Sequence, residues 1–306
     1  MAGDGSVKLI DEKGIRLDGR KIDEMRPVSI KIGVVKNADG SAEIRMGKNI
    51  ILAAVYGPRE LHPKHRALAD RALIQCFYRM STFSVNDRKS PAPSRREKEI
   101  SMVIGNSLAS VVLTKNYPRT TIDVYLQVLQ ADGGTRCASL TAASVALADA
   151  GIPMKGLISS VAAGIINDQA VLDLFDIEDQ KGSGDLPLGY CPVLDEISLL
   201  QLDGVFTVKQ FEDSLNLAIK GAKDLYEIQR DTLKQKYADI RADVEVEESK
   251  VKEPKVEESK VEEPKVEESK VEELKVAPKP VLKVAEPKEE ETNAPTPEKD
   301  DKEEAA

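Results

Sequence analysis

Histidine is almost missing from this 306-residue chain: His62 and His65 are the only two. Most of the sequence therefore has no nearby imidazole to serve as the base for a nucleophilic side chain. As a zinc site the pair offers two ligands with Pro63 between them, where a structural zinc takes four. Cysteine is scarce as well. Cys76, Cys137 and Cys191 are isolated, odd in number and without CxxC spacing, which argues against a disulfide framework. Cys137 reads as a small buried residue opening a helix rather than as a nucleophile. No long apolar run and no signal-peptide pattern occur, so a cytoplasmic setting without membrane contact is expected.

Arginine is absent from residues 244–306, where 12 lysines face 21 acidic residues. That stretch carries a net −9, equal to the formal charge of the whole chain, so residues 1–243 are balanced at 32 charges of each sign. The pentapeptides around Lys255-Val256-Glu257-Glu258-Ser259 repeat with a period of five, which matches neither helix nor strand. Prolines such as Pro254 and Pro264 interrupt the repeat, and its valines cannot offset the entropy of ordering it. Residues 244–306 are expected to form a disordered acidic tether after a domain at 1–243, whose two lobes fall at roughly 16–150 and 151–243.

Within that domain, Gly133-Gly134-Thr135-Arg136 stands between an alternating strand at 121–128 and an Ala-rich helix at about 138–150. Two glycines let the backbone turn tightly beside a ligand. The free N–H groups of a helix start, with an arginine next to them, make an anion cradle. No third glycine follows at dinucleotide-motif spacing, so a phosphate site is expected rather than a nucleotide-cofactor fold. Residues 59–99 hold ten Lys/Arg against five acids, a basic surface hidden by the whole-chain charge.

The remaining periodicity predicts a three-strand meander at 28–35, 41–46 and 50–56 and an amphipathic helix at 96–115. Further strands are expected near 158–165, 170–174, 188–193 and 197–202, followed by a long helix from 208 to about 237. This is an α+β pattern of sheets and helices. Residues 173–185 read as an acidic loop containing Asp179 and Asp185. A phosphate dianion approaching a phosphodiester meets repulsion of roughly 4 kcal/mol per charge pair at 4 Å and an effective dielectric of about 20. Guanidinium forks on Arg95, Arg96 and Arg136 would remove that barrier. A carboxylate would supply the leaving oxygen with a proton or a metal ion. Together these suit phosphoryl transfer.

Four collinear motifs carry a family resemblance across residues 10–237. They are Arg16-Leu17-Asp18-Gly19-Arg20 with Glu24-Met25-Arg26-Pro27, Ala38-Asp39-Gly40-Ser41-Ala42, the segment 129–136, and Glu178-Asp179 followed by Gly184-Asp185-Leu186-Pro187. The chain resembles the RNase PH family of phosphorolytic exoribonucleases. Segments 53–60 and 148–154 are most similar to the catalytic subunit of the archaeal exosome. The resemblance implies βαβα-type lobes like ribosomal protein S5 domain 2. It implies inorganic phosphate, as co-substrate, on Gly134, Thr135, Arg136 and Arg96, and catalysis by Asp179 and Asp185 with Mg²⁺ as helper. By the same comparison His62, His65, Arg66 and Arg95 would contact single-stranded RNA. The implied assembly is a hexameric ring of three heterodimers with a homologous non-catalytic subunit, capped by S1- or KH-domain proteins. A free-standing enzyme trimming transfer-RNA 3′ ends and an inactive RNA-binding ring scaffold are the alternatives.

Overall fold

A computed structural model describes residues 9–11 and 14–251. The first sheet contains β1 (Val28–Ile32), β2 (Gly40–Met46), β3 (Asn49–Glu60), β4 (Leu73–Met80) and β5 (Thr120–Gln130), in the order β1-β2-β3-β5-β4. The second contains β6 (Ser159–Ile166), β7 (Gln169–Leu172), β8 (Gly184–Cys191) and β10 (Asp203–Gly204) in the order β10-β8-β6-β7, with β9 (Glu196–Leu200) also paired to β8. All pairings are antiparallel except β4 with β5, which α1 (Arg95–Val111) connects as a crossover.

Helices α1, α2 (Thr135–Asp149) and α4 (Val208–Val251) form the layer between the sheets. Helix α1 packs on β4 and β9, α2 on β2, β3 and β6, and α4 on β1, β6 and β7. Eleven of the fifteen α2 residues are buried, which explains its sequence: Ala, Ser and Thr on every side let two sheets close on one helix. Ser144 and Thr141 turn their hydroxyls to the backbone at Ile158 and Ser160, so these buried polar groups are satisfied. On the other side of the second sheet, Leu9, Ile10 and Ile22 pack against Ile166, Val171 and Leu174.

The architecture is the expected α+β one, with local differences. Strand β4 lies inside the segment read only as basic, and α2 begins at Thr135 rather than 138. Residues 173–185 are not one acidic loop: α3 (Asp176–Lys181) forms there, and β8 starts at Gly184, before the expected 188. Helix α4 runs through 244–251, which the five-residue repeat had assigned to the tether. The rest of that expected tether, 252–306, lies outside the described residues. No helix among the described residues is long and apolar enough to cross a membrane.

Candidate active site

Strand β5 delivers the chain to the Gly-Gly turn, where Gly133 (φ 73°) and Gly134 (φ 68°) are both left-handed. A Cβ on Gly133 would stand 2.8 Å from the Asp176 nitrogen, so only glycine lets this turn meet the start of α3. Gly134 caps α2 and has no side chain to occupy the first-turn N–H groups. Asn49 braces the turn from β3: its Nδ2 donates to the Gly133 carbonyl at 2.5 Å, and its Oδ1 accepts from Asp132 N at 2.6 Å. Thr135 then opens the helix, and the fully buried Tyr78 donates its hydroxyl to Thr135 Oγ1 at 2.9 Å.

Arg95 and Arg96 are fixed by the start of α1. Ser94 Oγ accepts from Glu97 N at 3.2 Å, while Glu97 Oε2 accepts from Ser94 N at 2.7 Å, a reciprocal cap. The same Glu97 accepts from Met80 N at 2.9 Å and pairs with Lys89 at 3.3 Å, tying the cap to the end of β4.

These elements converge on a cleft of about 740 Å³ lined by Arg95, Arg96, Arg136, Asp179, Asp185 and Asp203. Glu99, the Gly182–Gly184 segment and Gly204 complete the lining. None of the three arginines has an ion-pair partner among the described residues. The Arg136 Nε is buried with no acceptor among them. Their charge is therefore not taken up in a direct ion pair with the protein's own acids.

The acids share this lining. Asp185 faces Asp203 directly across the β8–β10 register. Burial pushes the Asp185 carboxyl up to about 6, the charges of Asp179 and Asp203 add to the shift, and Arg136 and Arg96 oppose it. Asp179 is also held above the ordinary carboxylate range, first by the crowding of the cleft walls, although its side chain stays open to solvent at the mouth.

The sign of the Asp185 shift sets a stability expectation. Between its ordinary value of 3.8 and about 6 the native state binds more proton than the unfolded chain, so stability falls as pH rises through that window. Asp185→Asn is expected to raise the Tm above pH 6 by about 2–4 °C, the response of a chain this size to roughly 1 kcal/mol once solvent screening of the open cleft is allowed for. The gain should vanish near pH 4. Equal gains at both pH values in thermal melts would remove the charge as the cause.

The sequence-derived residues divide into two places. Arg95, Arg96, Arg136, Asp179 and Asp185 share the cleft, with Gly134 and Thr135 forming the turn at Arg136. His62, His65 and Arg66 do not join them. They are exposed around the Lys64–Arg66 turn after β3, beside the first residues of β5, whereas the cleft lies beyond its last. The eleven residues of β5 put roughly 30 Å between the two places. Among the described residues no cluster of three or more His, Cys, Asp or Glu side chains could hold a metal. Cys137 is buried and its thiol is pushed up to about 11, first by burial, which suits packing and not nucleophilic attack. Asp203 and Tyr78 were missed. Asp203 sits in a two-residue strand without local pattern, and Tyr78 reaches Thr135 only through the folding of β4 beside β5.

The 3′ exoribonuclease family models match in both parts, domain 1 over residues 24–153 and domain 2 over 156–221. The chain belongs to this 3′ exoribonuclease family. It is 54% identical over 239 residues to the exosome complex component Rrp41 of Thermococcus kodakarensis, covering 78% of this chain and 96% of that one. It is 52% identical over 234 residues to the Rrp41 of Cenarchaeum symbiosum, covering 76% and 96%. Among solved structures, rice Rrp46 superposes with a TM-score of 0.66 at 27% identity, covering 72% of this chain and all of that one. The Archaeoglobus fulgidus exosome with RNA bound to the active site gives 0.63 at 23% identity, covering 70% and 92%, a likeness of fold.

Proposed function

We propose that the chain is the catalytic RNase PH-like subunit of an archaeal-type exosome, degrading RNA from its 3′ end by phosphorolysis. One observation carries the reading: three guanidiniums without ion-pair partners among the described residues share a cleft with the Asp179–Asp185 pair. Inorganic phosphate is held at Gly134, Thr135 and Arg136, with Arg96 as a second clamp. One of its oxygens forms a bond to the phosphorus of the last internucleotide linkage, and the bond from that phosphorus to the preceding O3′ breaks. Asp185 gives the departing oxygen its proton, aided by a carboxyl held up to about 6. The products are a nucleoside diphosphate and an RNA one residue shorter, and the reverse reaction adds residues.

Mg²⁺ fits the donor set, because this ion keeps most of its waters and needs one or two carboxylates plus substrate phosphate. Asp179 would hold it, with Asp185 joining only in its ionised form and not while it carries the proton for the departing oxygen, and when bound the ion would neutralise charge on the phosphates. Single-stranded RNA would run from the exposed His62, His65 and Arg66 turn toward the cleft, with Arg95 guiding its end. The cytoplasmic assembly is a hexameric ring of three heterodimers with a homologous non-catalytic subunit, capped by S1- or KH-domain proteins.

The test is labelled RNA incubated with the reconstituted ring, with and without phosphate. Phosphate-dependent release of nucleoside diphosphate is expected, and its absence would leave the chain as a scaffold. A stable, active homohexamer on gel filtration of the chain alone would instead favour the free-standing enzyme. Tyr78 gives a finer check. Its hydroxyl occupies an acceptor site on Thr135 Oγ1, leaving the threonine proton free for phosphate. Tyr78→Phe removes one hydrogen bond, worth about 1 kcal/mol net, and should raise the KM for phosphate by about fivefold with kcat unchanged. An unaltered KM would detach Tyr78 from the phosphate site.

A further inference from the structure

Three arginines of the N-terminal segment, Arg16, Arg20 and Arg26, never reach the cleft, yet they are buried. Arg26 is the informative one. Its Nε and backbone N each donate to Asp173 Oδ2 at 2.9 Å, and its Nη2 donates to Asp173 Oδ1 at 2.6 Å. The far side of the same guanidinium donates to the Asp132 carbonyl at 2.5 Å and to the Gly133 carbonyl at 3.3 Å. One planar group thus touches the phosphate turn on one side and the residue leading into α3 on the other. These two parts lie in different halves of the family match, 24–153 and 156–221.

The acidic side depends on such support. Helix α3 has six residues, too few to hold itself in water. Asp173 leads toward it with a left-handed φ of 55°, a conformation that among side-chain-bearing residues Asp and Asn adopt most readily. The ion pair with Arg26 fixes that residue, with the Asp173 side chain 2% exposed. Arg16 repeats the arrangement one turn on. It grips Glu178, the neighbour of Asp179, with two donors, while its Nη1 reaches the Leu172 carbonyl at 2.7 Å and its Nη2 the Asp173 carbonyl at 2.9 Å.

We propose that the Arg26–Asp173 pair is a positioning element of the reaction: it sets the spacing between the phosphate-holding turn with Arg136 and the carboxylates Asp179 and Asp185. This rests on the phosphorolytic reading of the cleft. A buried ion pair is a weak source of stability relative to well-packed apolar groups. A bidentate fork does fix distance and angle between the parts it joins. A lysine keeps the charge of Arg26 but cannot span both the carboxylate and the two carbonyls with one plane.

The experiment uses the reconstituted ring carrying Arg26→Lys, measuring kcat, KM for phosphate, RNA affinity and Tm. Displacing reacting groups by a fraction of an ångström to an ångström from a remote site reduces rates by about tenfold to a hundredfold. A fall of that size in kcat/KM for phosphate is expected, with RNA affinity unchanged and Tm above the assay temperature. Wild-type kcat and phosphate KM in folded Arg26→Lys, with Tm alone lowered, would overturn the proposal. If Arg26→Lys does not fold, Asp173→Asn, which keeps the shape and removes the charge, carries the same measurements. Loss of fold in both variants would assign the pair to stability and overturn the proposal as well. Phosphate-dependent release by the unmodified ring is the control; its absence counts against the phosphorolytic reading and not against the positioning pair.

Discussion

Asp185→Ala is expected to lower turnover by about 10²–10⁴-fold, the contribution of a positioned general acid, with RNA still bound. The size follows from where Asp185 stands. It is the first side chain of β8, held between Gly164 of β6 and Asp203 of β10 by ladder pairing on both sides. Its aim is thus set by two strands. Its proton is retained toward neutral pH by burial and by the charges of Asp179 and Asp203. Alanine removes the proton source and leaves Arg95, Arg96 and Arg136 in place to hold RNA and phosphate. Single-turnover assays at saturating RNA and phosphate separate the two effects. Undiminished turnover would take Asp185 out of the chemistry, and loss of RNA binding in parallel would make it a binding residue.

Arg136→Ala should act through phosphate instead. The guanidinium lies on the first turn of α2, adding full charge to the helix-start donors behind Gly134. Charge-assisted hydrogen bonds contribute about 1.5–3 kcal/mol each, so the KM for phosphate should rise by about tenfold to a hundredfold. RNA affinity should change far less, because Arg95 and Arg96 sit on α1, a separate element. Titrating phosphate at fixed RNA is the measurement. A variant that loses RNA affinity while keeping its phosphate KM would exchange the roles assigned to Arg136 and the α1 arginines.

What could be read from the sequence was local. Two glycines before a helix start dictate left-handed dihedrals and open N–H groups wherever the fold places them, and both glycines adopt them. The helical spacing of apolar residues in α1 likewise puts Ile100, Ile104, Leu108 and Val111 on one buried face. The acidic segment was harder. Its carboxylates were visible, but its six-residue helix was not, because α3 is held by Arg16 and Arg26 from the other end of the domain. Strand β4 was overlooked for a related reason. Charge dominates the composition of residues 59–99, while the strand exists through its parallel pairing with β5.

By itself the sequence determined the conformation of the Gly-Gly turn, the faces of the amphipathic helices and the separation of a neutral body from an acidic stretch, since these depend on residues near one another along the chain. Only the tertiary structure decided that Arg136 meets Asp185, that Asp203 stands across from it, and that the His62–Arg66 turn lies at the opposite end of the sheet. The physical reason is burial. Closing two sheets on the small residues of α2 brings its first turn to the start of β8, and no local preference encodes that meeting.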